Sequence, residues 1–294
     1  MDTFEAAQLS RQFERIGARL KVVSAEGTGG RGRGEAEPFT LDVAAVGGGR
    51  GSRHESYILR VRPEVYPALN LLVLDAQPKL RHLLLLARAP VSVGTGDGTA
   101  GVATPAEPRS RFLCGHDERH WFVAAVKSGQ DAPTGVGEAM ESLKPSGVSR
   151  VQHQLGVPTR HWNRRRNAAF QRQGEWFFLP SSFAPPELLV LRNEAIRRSS
   201  DGKPHLVESL YRNGGEAVYV CPQRPQGLTH RQYQKLLADR PSARAWGWRA
   251  MRRDMQVYAR GRIRHPDHAT IMLDGWHQVV MSGEVLSKRV AFLD

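Results

Sequence analysis

Cysteine and long apolar runs are both scarce in this chain, and each scarcity excludes a class of protein. The 294 residues include only two cysteines, Cys114 and Cys221, which lie far apart in the sequence. The sequence therefore lacks the cysteine density of a disulfide-stabilised fold and the CxxC spacing of a thiolate zinc site. We expect each cysteine to be a small buried residue.

The longest apolar runs are residues 71–74 and 83–87, which are far shorter than the roughly 20 residues needed to cross a bilayer. The N-terminus begins with acidic and polar residues and has no basic head followed by an apolar stretch, so no signal peptide is predicted. We therefore expect a cytoplasmic protein with no membrane partner.

Positive charge is concentrated in one part of the chain. Residues 151–265 contain 21 Lys and Arg against 8 Asp and Glu, which accounts for the whole net charge of +13. Four of the six tryptophans lie in the same segment. A GC-rich gene would explain why arginine outnumbers lysine by 35 to 7, but it would not explain the clustering. Clustered cations with interleaved aromatic side chains are typical of a surface that binds a polyanion.

The hydrophobic periodicity predicts an α+β fold made mainly of antiparallel sheets and hairpins, with several short helices. Helical and strand patterns are mixed without a regular β-α-β alternation, which favours this class. A capping box formed by Thr229 and Gln232 predicts the start of one helix. Strands that form a hairpin are predicted on either side of a polar tip at residues 115–120. Further helices are predicted at residues 3–20, 136–143, 205–212 and 243–255.

The composition predicts two domains. Residues 1–145 form a near-neutral α+β domain with glycine-rich loops, and residues 146–294 form a basic α+β domain. No structure is predicted for residues 146–173. The basic domain is expected to end in a three-stranded meander, with Asp274 and Gly275 as the tight turn between its last two strands. The three strands are predicted at residues 257–264, 269–273 and 276–281.

Two segments match the phosphate-binding pattern G-x-G-x-x-G, at residues 27–32 and 96–101. That pattern binds phosphate only where a helix begins at its last glycine. Further glycine or proline follows each segment and prevents a prompt helix start, so we interpret both as surface loops.

Three groups of arginine and tryptophan are candidate nucleic-acid-binding residues. Guanidinium groups bind phosphate bidentately and indole rings stack on exposed bases. The first group follows the start of the basic domain, the second lies on the helix predicted at 243–255, and the third lies on the strand predicted at 257–264. The predicted neighbouring strand, 269–273, has no acidic residue in its interior to neutralise the third group, which favours an anionic partner. The alternative is that the cations form a solvated outer face and the tryptophans are core residues. The candidates are Arg160, Trp162, Arg164, Arg165, Arg166 and Arg172; Trp246, Arg249, Arg252 and Arg253; and Arg260, Arg262 and Arg264.

Two short clusters of histidine and acidic residues are candidates for catalysis. Such side chains can ligate a divalent metal or transfer protons to the leaving group of a phosphodiester. Both clusters are also ordinary turn compositions, so the sequence leaves the two interpretations open unless the clusters meet in space. The hairpin tip contains His116, Asp117, Glu118 and His120, and the C-terminal turn contains His265, Asp267 and His268, with His277 on the following strand.

Three functions are consistent with these patterns. The leading hypothesis is a nucleic-acid-binding protein that prefers RNA or single strands and needs no cofactor. The second is a nuclease or other phosphodiester hydrolase that uses the histidine and acidic turns with a divalent metal. The third is an adaptor subunit whose basic face binds an acidic protein partner. The sequence does not predict an oligomeric state.

Overall fold

The computed structural model describes residues 3–25, 37–46, 54–89, 109–198 and 203–285. Both G-x-G-x-x-G segments lie outside these residues, so their interpretation as surface loops stays a prediction.

The described residues form mostly strands. The first half of the chain contains α1 (Thr3–Arg15), β1 (Leu20–Ser24), β2 (Phe39–Val46), β3 (His54–Val61), β4 (Asn70–Gln77), β5 (His82–Arg88), β6 (Arg109–Asp117), β7 (His120–Val126) and α2 (Val136–Ser142). The second half contains α3 (Val148–Gln154), β8 (Gln171–Gln173), β9 (Trp176–Pro180), β10 (Leu191–Ile196), β11 (His205–Asn213), β12 (Glu216–Cys221), β13 (Arg224–Thr229), α4 (His230–Asp239), β14 (Arg249–Arg253), β15 (Gln256–Arg264) and β16 (Ile271–Met281). The fold is thus a strand-rich arrangement consistent with the α+β prediction.

Two sheets and one helix form the first core. One sheet has the order β1-β3-β2, in which β1 runs parallel to β3, and the other is an antiparallel sheet with the order β4-β5-β6-β7. Phe13 of α1 packs edge-on against Tyr57 of β3, and both side chains are fully buried. The Tyr57 hydroxyl donates to the backbone carbonyls of Gly115 and Phe122 at 3.1 and 3.0 Å, which anchors the β6–β7 hairpin.

The second core lies on a six-stranded antiparallel sheet with the order β10-β11-β15-β16-β9-β8. Its fully buried residues include Phe178, Val207 and Ile263. Buried core residues of the first half come from positions 9–139 and those of the second half from positions 148–279. The boundary between the two predicted domains, after residue 145, remains a prediction.

Residues 214–255 form a separate small sheet between β11 and β15, which we call the insert. Its strand order is β13-β12-β14, and α4 packs on one face. Helix α4 begins where the capping box predicts: Thr229 accepts a hydrogen bond from the Gln232 backbone, and the Gln232 side chain accepts one from the Thr229 backbone. The insert begins with two glycines, Gly214 and Gly215, which follow β11 directly. Their φ angles, 67° and 82°, are left-handed.

The helix predicted at residues 205–212 is wrong, because this segment is strand β11. Its apolar residues at positions 206, 207, 210 and 211 fit a helical spacing as well as a strand. Pairing with β10 on one side and β15 on the other decides between them. Such competition is expected where local propensity is weak and tertiary contacts are many.

The helix predicted at residues 243–255 is also wrong. A short 3-10 helix, Pro241–Ala245, ends at Trp246, and the chain then continues into strand β14. Gly247 has a φ of 70°, a left-handed value that interrupts an α-helix. The predicted helical stripe of Trp246, Arg249 and Arg253 is therefore not formed.

The three-stranded meander at the C-terminus is a third incorrect prediction. Residues 271–281 form one continuous strand, β16, and Asp274 and Gly275 lie within it. The register of β15 with β16 shifts near this point, between Ala259 and Gly261, so the dipeptide lies opposite an irregularity in the ladder and not in a tight turn.

Both cysteines are buried and free, as expected from the sequence. Among the described residues, no helix combines the length and the apolar character required to span a membrane.

Candidate functional site

The two histidine- and acid-rich turns predicted from the sequence meet in space. Glu118 lies at the tip of the β6–β7 hairpin, and its carboxylate reaches the loop between β15 and β16. There Glu118 Oε2 accepts a hydrogen bond from the Ala269 backbone N–H at 2.6 Å and lies 3.6 Å from Nδ1 of His268. Two segments that are 151 positions apart in the sequence therefore form one site.

Two arginines hold the hairpin tip in this position. Asp117 forms ion pairs with Arg165 at 2.6 Å and with Arg172 at 2.7 Å, and Arg165 also pairs with Glu118. Burial raises the pKa of Asp117, but the two guanidinium groups outweigh burial and hold that pKa below its ordinary value. Asp117 is therefore ionised, and its ion pairs with the two arginines hold the hairpin tip in place.

The two histidines of the hairpin have different surroundings. His120 Nδ1 is hydrogen-bonded to a carboxylate oxygen of Glu55, whose other oxygen accepts from the Trp121 backbone N–H at 2.8 Å. His116 packs edge-on against the Trp121 ring, with a centroid distance of 4.9 Å. Burial and the neighbouring Arg81 lower the pKa of His116.

Three histidines converge beside Glu118. His205 is the first residue of β11, whereas His265 and His268 lie in the loop after β15, and each offers a ring nitrogen within 4.8 Å of the others. The ring centroids of His205 and His265 are 4.2 Å apart, and those of His265 and His268 are 4.8 Å apart. His205 is completely buried. We call these three residues the histidine cluster.

Burial keeps the histidine cluster neutral. Burial, helped by the two neighbouring rings, lowers the pKa of His205 to about 3. Burial is also the largest cause of the lowered pKa values of His265 and His268, although Glu118 opposes the shift at His268. A neutral imidazole carries a lone pair on one ring nitrogen, which is the form that binds a metal ion.

Gly174, in the turn between β8 and β9, borders the histidine cluster. It has a φ of 57°, which favours glycine. A Cβ atom added there would lie 3.0 Å from Nε2 of His268 and 3.3 Å from Nε2 of His205. The absence of a side chain therefore leaves room beside two ring nitrogens.

The histidine cluster opens into a cleft with a volume of about 860 Å³. Of the predicted catalytic residues, Asp117, His120, His265, Asp267 and His268 line this cleft, whereas His116 does not. The carboxylate of Asp267 is bonded to Lys203 at 2.6 Å. Burial raises the pKa of Asp267, but Lys203 outweighs burial, and the pKa lies below its ordinary value.

His277 is not part of the histidine cluster. It lies on β16, is buried, and its Nδ1 contacts the Gly275 carbonyl at 2.8 Å. One of the two ring nitrogens of His277 thus has its partner within the same strand.

Half of the first group of predicted nucleic-acid-binding residues is engaged within the protein. Trp162 donates through Nε1 to the Val157 carbonyl at 2.7 Å, and its ring packs edge-on against His153. Arg165 and Arg172 anchor the hairpin tip as described above. The exposed members are Arg160, Arg164 and Arg166, the last lying 4.0 Å from an oxygen of Asp274.

The third group, on β15, is paired with acidic and polar side chains that the sequence did not reveal. Arg262 bonds through Nε to Glu208 at 3.2 Å. Glu208 approaches because it lies at a bulge in β11, opposite Gly261, where an added Cβ would be only 2.9 Å from the Glu208 carboxyl carbon. The other two members have partners as well, Arg260 with Glu187 at 3.6 Å and the Trp276 ring, and Arg264 with Asn193 at 3.3 Å.

The second group lies in the insert, which keeps most of its positive charge exposed. The insert contains 8 Lys and Arg against 3 Asp and Glu. Arg253 pairs with Glu216 at 2.6 Å, and Arg252 donates to the Gly214 carbonyl at 3.1 Å. Six other cations of the insert are exposed and have no ion pair within the described part of the chain: Arg224, Arg231, Lys235, Arg240, Arg244 and Arg249.

Partly exposed aromatic rings accompany these cations. Tyr219 and Tyr233 are stacked with a centroid distance of 4.2 Å, and Trp246 and Trp248 are stacked at 6.0 Å. The guanidinium of Arg240 lies 5.1 Å from the Trp246 ring centroid. The insert therefore combines uncompensated charge with accessible aromatic edges.

His205 and Gly174 are the two site residues that sequence reasoning missed. His205 lies 60 positions before His265 and shares no local motif with it. The pairing of β11 with β15, which sets Leu206 opposite Arg264, brings the two histidines together at the end of the ladder. The only sequence signal was a histidine at the start of an apolar segment, and a correct strand assignment would have been needed to use it.

Comparison of the chain with models of known protein families, with curated proteins and with solved structures found no match.

Proposed function

We propose that the protein binds nucleic acid through the insert, with RNA or another single strand favoured over duplex DNA. The observation that carries the proposal is the distribution of unpaired positive charge. Acidic partners neutralise Arg260 and Arg262 of β15 and also Arg165 and Arg172 at the hairpin tip, whereas six cations of the insert have none among the described residues. Solvated guanidinium and ammonium groups without acidic partners are free to bind phosphate.

The aromatic residues of the insert support a single-stranded ligand. Bases of single strands stack on exposed aromatic rings and on guanidinium planes, whereas the bases of a duplex are already stacked on each other. The half-exposed Trp246 and Trp248 rings and the neighbouring Arg240 offer such surfaces. The size of the insert, about 40 residues, suits the binding of a few nucleotides.

Removing two of the unpaired cations is expected to weaken oligonucleotide binding at every sequence tested. The double substitution Arg231→Gln with Arg249→Gln should reduce the slope of log affinity against log salt by about 1.4, because each phosphate contact to a single strand contributes about 0.7. Fluorescence anisotropy with labelled single-stranded RNA, over a range of salt concentrations, measures this slope.

A matched control removes the same formal charge from paired positions. The double substitution Arg260→Gln with Arg262→Gln is expected to leave the salt slope nearly unchanged, because Glu187 and Glu208 already neutralise these side chains in the folded protein. Wild-type affinity that does not depend on salt, or equal loss in both double variants, would contradict the proposal.

The convergence of the two turns favours a second function, hydrolysis of a phosphodiester in the cleft. His120, oriented by Glu55, faces the cleft opposite the loop that contains His265 and His268, so it could accept or donate a proton during hydrolysis. Arg119 and Arg164 also line the cleft, are exposed and have no ion pair among the described residues, so they carry the charge that an anionic substrate requires.

If the cleft is a hydrolase site, substitution of His120 by alanine should lower the rate of cleavage by about 100-fold or more, the usual contribution of a general acid or base. The measurement is cleavage of labelled RNA and DNA in the presence of Mg²⁺, Mn²⁺ or Zn²⁺. His116→Ala serves as the control, because His116 lies outside the cleft. Absence of cleavage by the wild-type protein with all three ions would exclude this second function.

A further inference from the structure

The histidine cluster leaves several buried nitrogens without hydrogen bonds. Both ring nitrogens of His205 and Nε2 of His265 are buried and have no hydrogen-bond partner among the described residues. A neutral imidazole always carries one N–H donor and one acceptor. Buried polar groups in proteins nearly always have partners, so a group of unpartnered nitrogens in one place indicates a missing ligand.

The arrangement of these nitrogens indicates what the ligand is. Each of the three histidines offers a nitrogen within 4.8 Å of the other two, so a single ion between them could contact all three after small rotations of the rings. His205 is the first residue of strand β11 in the six-stranded sheet, while His265 and His268 lie in the loop after β15. Gly174 leaves the space beside Nε2 of His205 and of His268 free of a side chain.

We propose that His205, His265 and His268 bind a divalent transition-metal ion, with Zn²⁺ the best match. Three imidazole ligands with no thiolate suit Zn²⁺ and its first-row neighbours, whereas Mg²⁺ and Ca²⁺ prefer oxygen ligands. The two cysteines of the chain are buried elsewhere, on β6 and β12, and supply no ligand.

Glu118 has the position of an orienting residue for this site. Its carboxylate lies 3.6 Å from Nδ1 of His268 and is itself fixed by Arg165 and by the Ala269 backbone. A carboxylate beside the non-ligating nitrogen of a histidine fixes the ring tautomer and increases the basicity of the ligating nitrogen. With Glu118 at Nδ1, the nitrogen of His268 that faces the ion is Nε2, which is the one beside Gly174.

The site has three protein ligands and borders the cleft. His265 and His268 both line the cleft wall, so a tetrahedral ion would have its fourth position directed toward solvent or substrate. Three protein ligands with an open position are characteristic of a catalytic zinc site, whereas structural sites usually have four. This inference does not depend on the proposed nucleic-acid binding, because it concerns residues outside the insert.

Metal binding by the full-length protein tests the inference directly. The purified chain is treated with a chelator, dialysed, and titrated with Zn²⁺ in competition with a chromogenic chelator; Co²⁺ is used in parallel because its visible absorption reports the coordination geometry. We expect one Zn²⁺ per chain and a tetrahedral Co²⁺ spectrum. Affinity weaker than about 10 µM, which corresponds to under 7 kcal/mol, or an octahedral spectrum would overturn the proposal.

The variants locate the site. His268→Gln should weaken Zn²⁺ binding by about 100-fold or more, since even the loss of a residue that only orients a ligand costs 10- to 100-fold. Glu118→Gln should weaken it by about 10- to 100-fold. His116→Gln, in the same hairpin but outside the cleft, should bind as the wild type does.

His205→Ala is a further variant, but its buried position makes misfolding a separate outcome. For this reason His268, whose side chain is 14% exposed, is the decisive position, and circular dichroism confirms the fold of each variant. If folded His268→Gln binds Zn²⁺ as tightly as the wild type, or if His116→Gln loses binding equally, the histidine cluster is not the metal site.

Discussion

Replacing Glu284 with alanine is expected to lower the free energy of unfolding by about 3–5 kcal/mol, the range measured when one partner of a buried ion pair is removed. Glu284 is bonded to Arg198, and the two side chains are only 8% and 7% exposed. In the variant, the Arg198 guanidinium loses its carboxylate while staying buried. The Glu284 carboxylate then no longer offsets the desolvation of the buried guanidinium, which is the physical source of the loss.

The position of Glu284 explains why the effect should be global. Residues 282–285 connect separate parts of the fold through their backbone: Ser282 donates to the Glu175 carbonyl, Gly283 to the Leu143 carbonyl and Val285 to the Ala125 carbonyl, at 2.8, 2.8 and 3.0 Å. This segment therefore links β7 and the end of α2 to the β8–β9 turn. Loss of its anchoring ion pair should weaken contacts between the two halves of the chain.

The unfolding midpoint in urea measures the effect, and Glu187→Ala is a matched control. Glu187 also pairs with an arginine, Arg192, but the two side chains are 59% and 54% exposed. Exposed pairs contribute about 1 kcal/mol or less. Comparable destabilisation by the two substitutions would show that burial of the Arg198–Glu284 pair does not determine its contribution.

The metal-free protein is expected to lose stability as the pH falls below 6.5. His205 has its pKa lowered from 6.5 to about 3 by burial, so between these values the unfolded chain binds a proton that the folded chain does not. Stability from this residue is therefore complete above pH 6.5 and decreases as the pH falls toward 3. The loss from His205 alone should reach about 2 kcal/mol at pH 5.

His265 and His268 should increase this loss, because their pKa values are shifted in the same direction. The measurement is the free energy of unfolding in urea at pH values from 7.5 to 5, with a chelator present. In His205→Gln the stability at pH 7.5 will differ from that of the wild type, but the dependence on pH between 6.5 and 5 should be shallower. An identical pH dependence in the two proteins would show that His205 is not a buried neutral base.

Much of the local structure could be predicted from the sequence. The helix predicted at residues 136–143, the strand predicted at residues 257–264 and the capping-box helix after Thr229 have the predicted positions within one residue. These elements have strong short-range patterns, which are an apolar face at helical spacing, alternation along a strand or paired cap residues. The errors at 205–212 and 243–255 fell where the pattern fitted both a helix and a strand, and where sheet pairing or one left-handed glycine decided the outcome.

The candidate site was only half predictable. The two turns that contain His120 and His268 were recognised as chemically capable, but their contact depends on how the β6–β7 hairpin packs against the loop after β15. His205 enters the site only because β11 pairs with β15. No spacing rule within a single segment contains that information.

The sequence by itself determined the strand-rich α+β class, the basic second half, the lack of a disulfide or thiolate zinc framework, and the identity of two turns with histidine and acidic side chains. Only the tertiary structure decided which charges are neutralised and which are free. Ion pairs such as Arg262 with Glu208 and Arg165 with Asp117 join residues about 50 positions apart, so their formation depends on strand pairing and not on local composition. For the same reason, part of the excess positive charge detected in the sequence is paired, as at Arg260 and Arg262 of β15, and part is exposed without an ion pair among the described residues, including six cations of the insert.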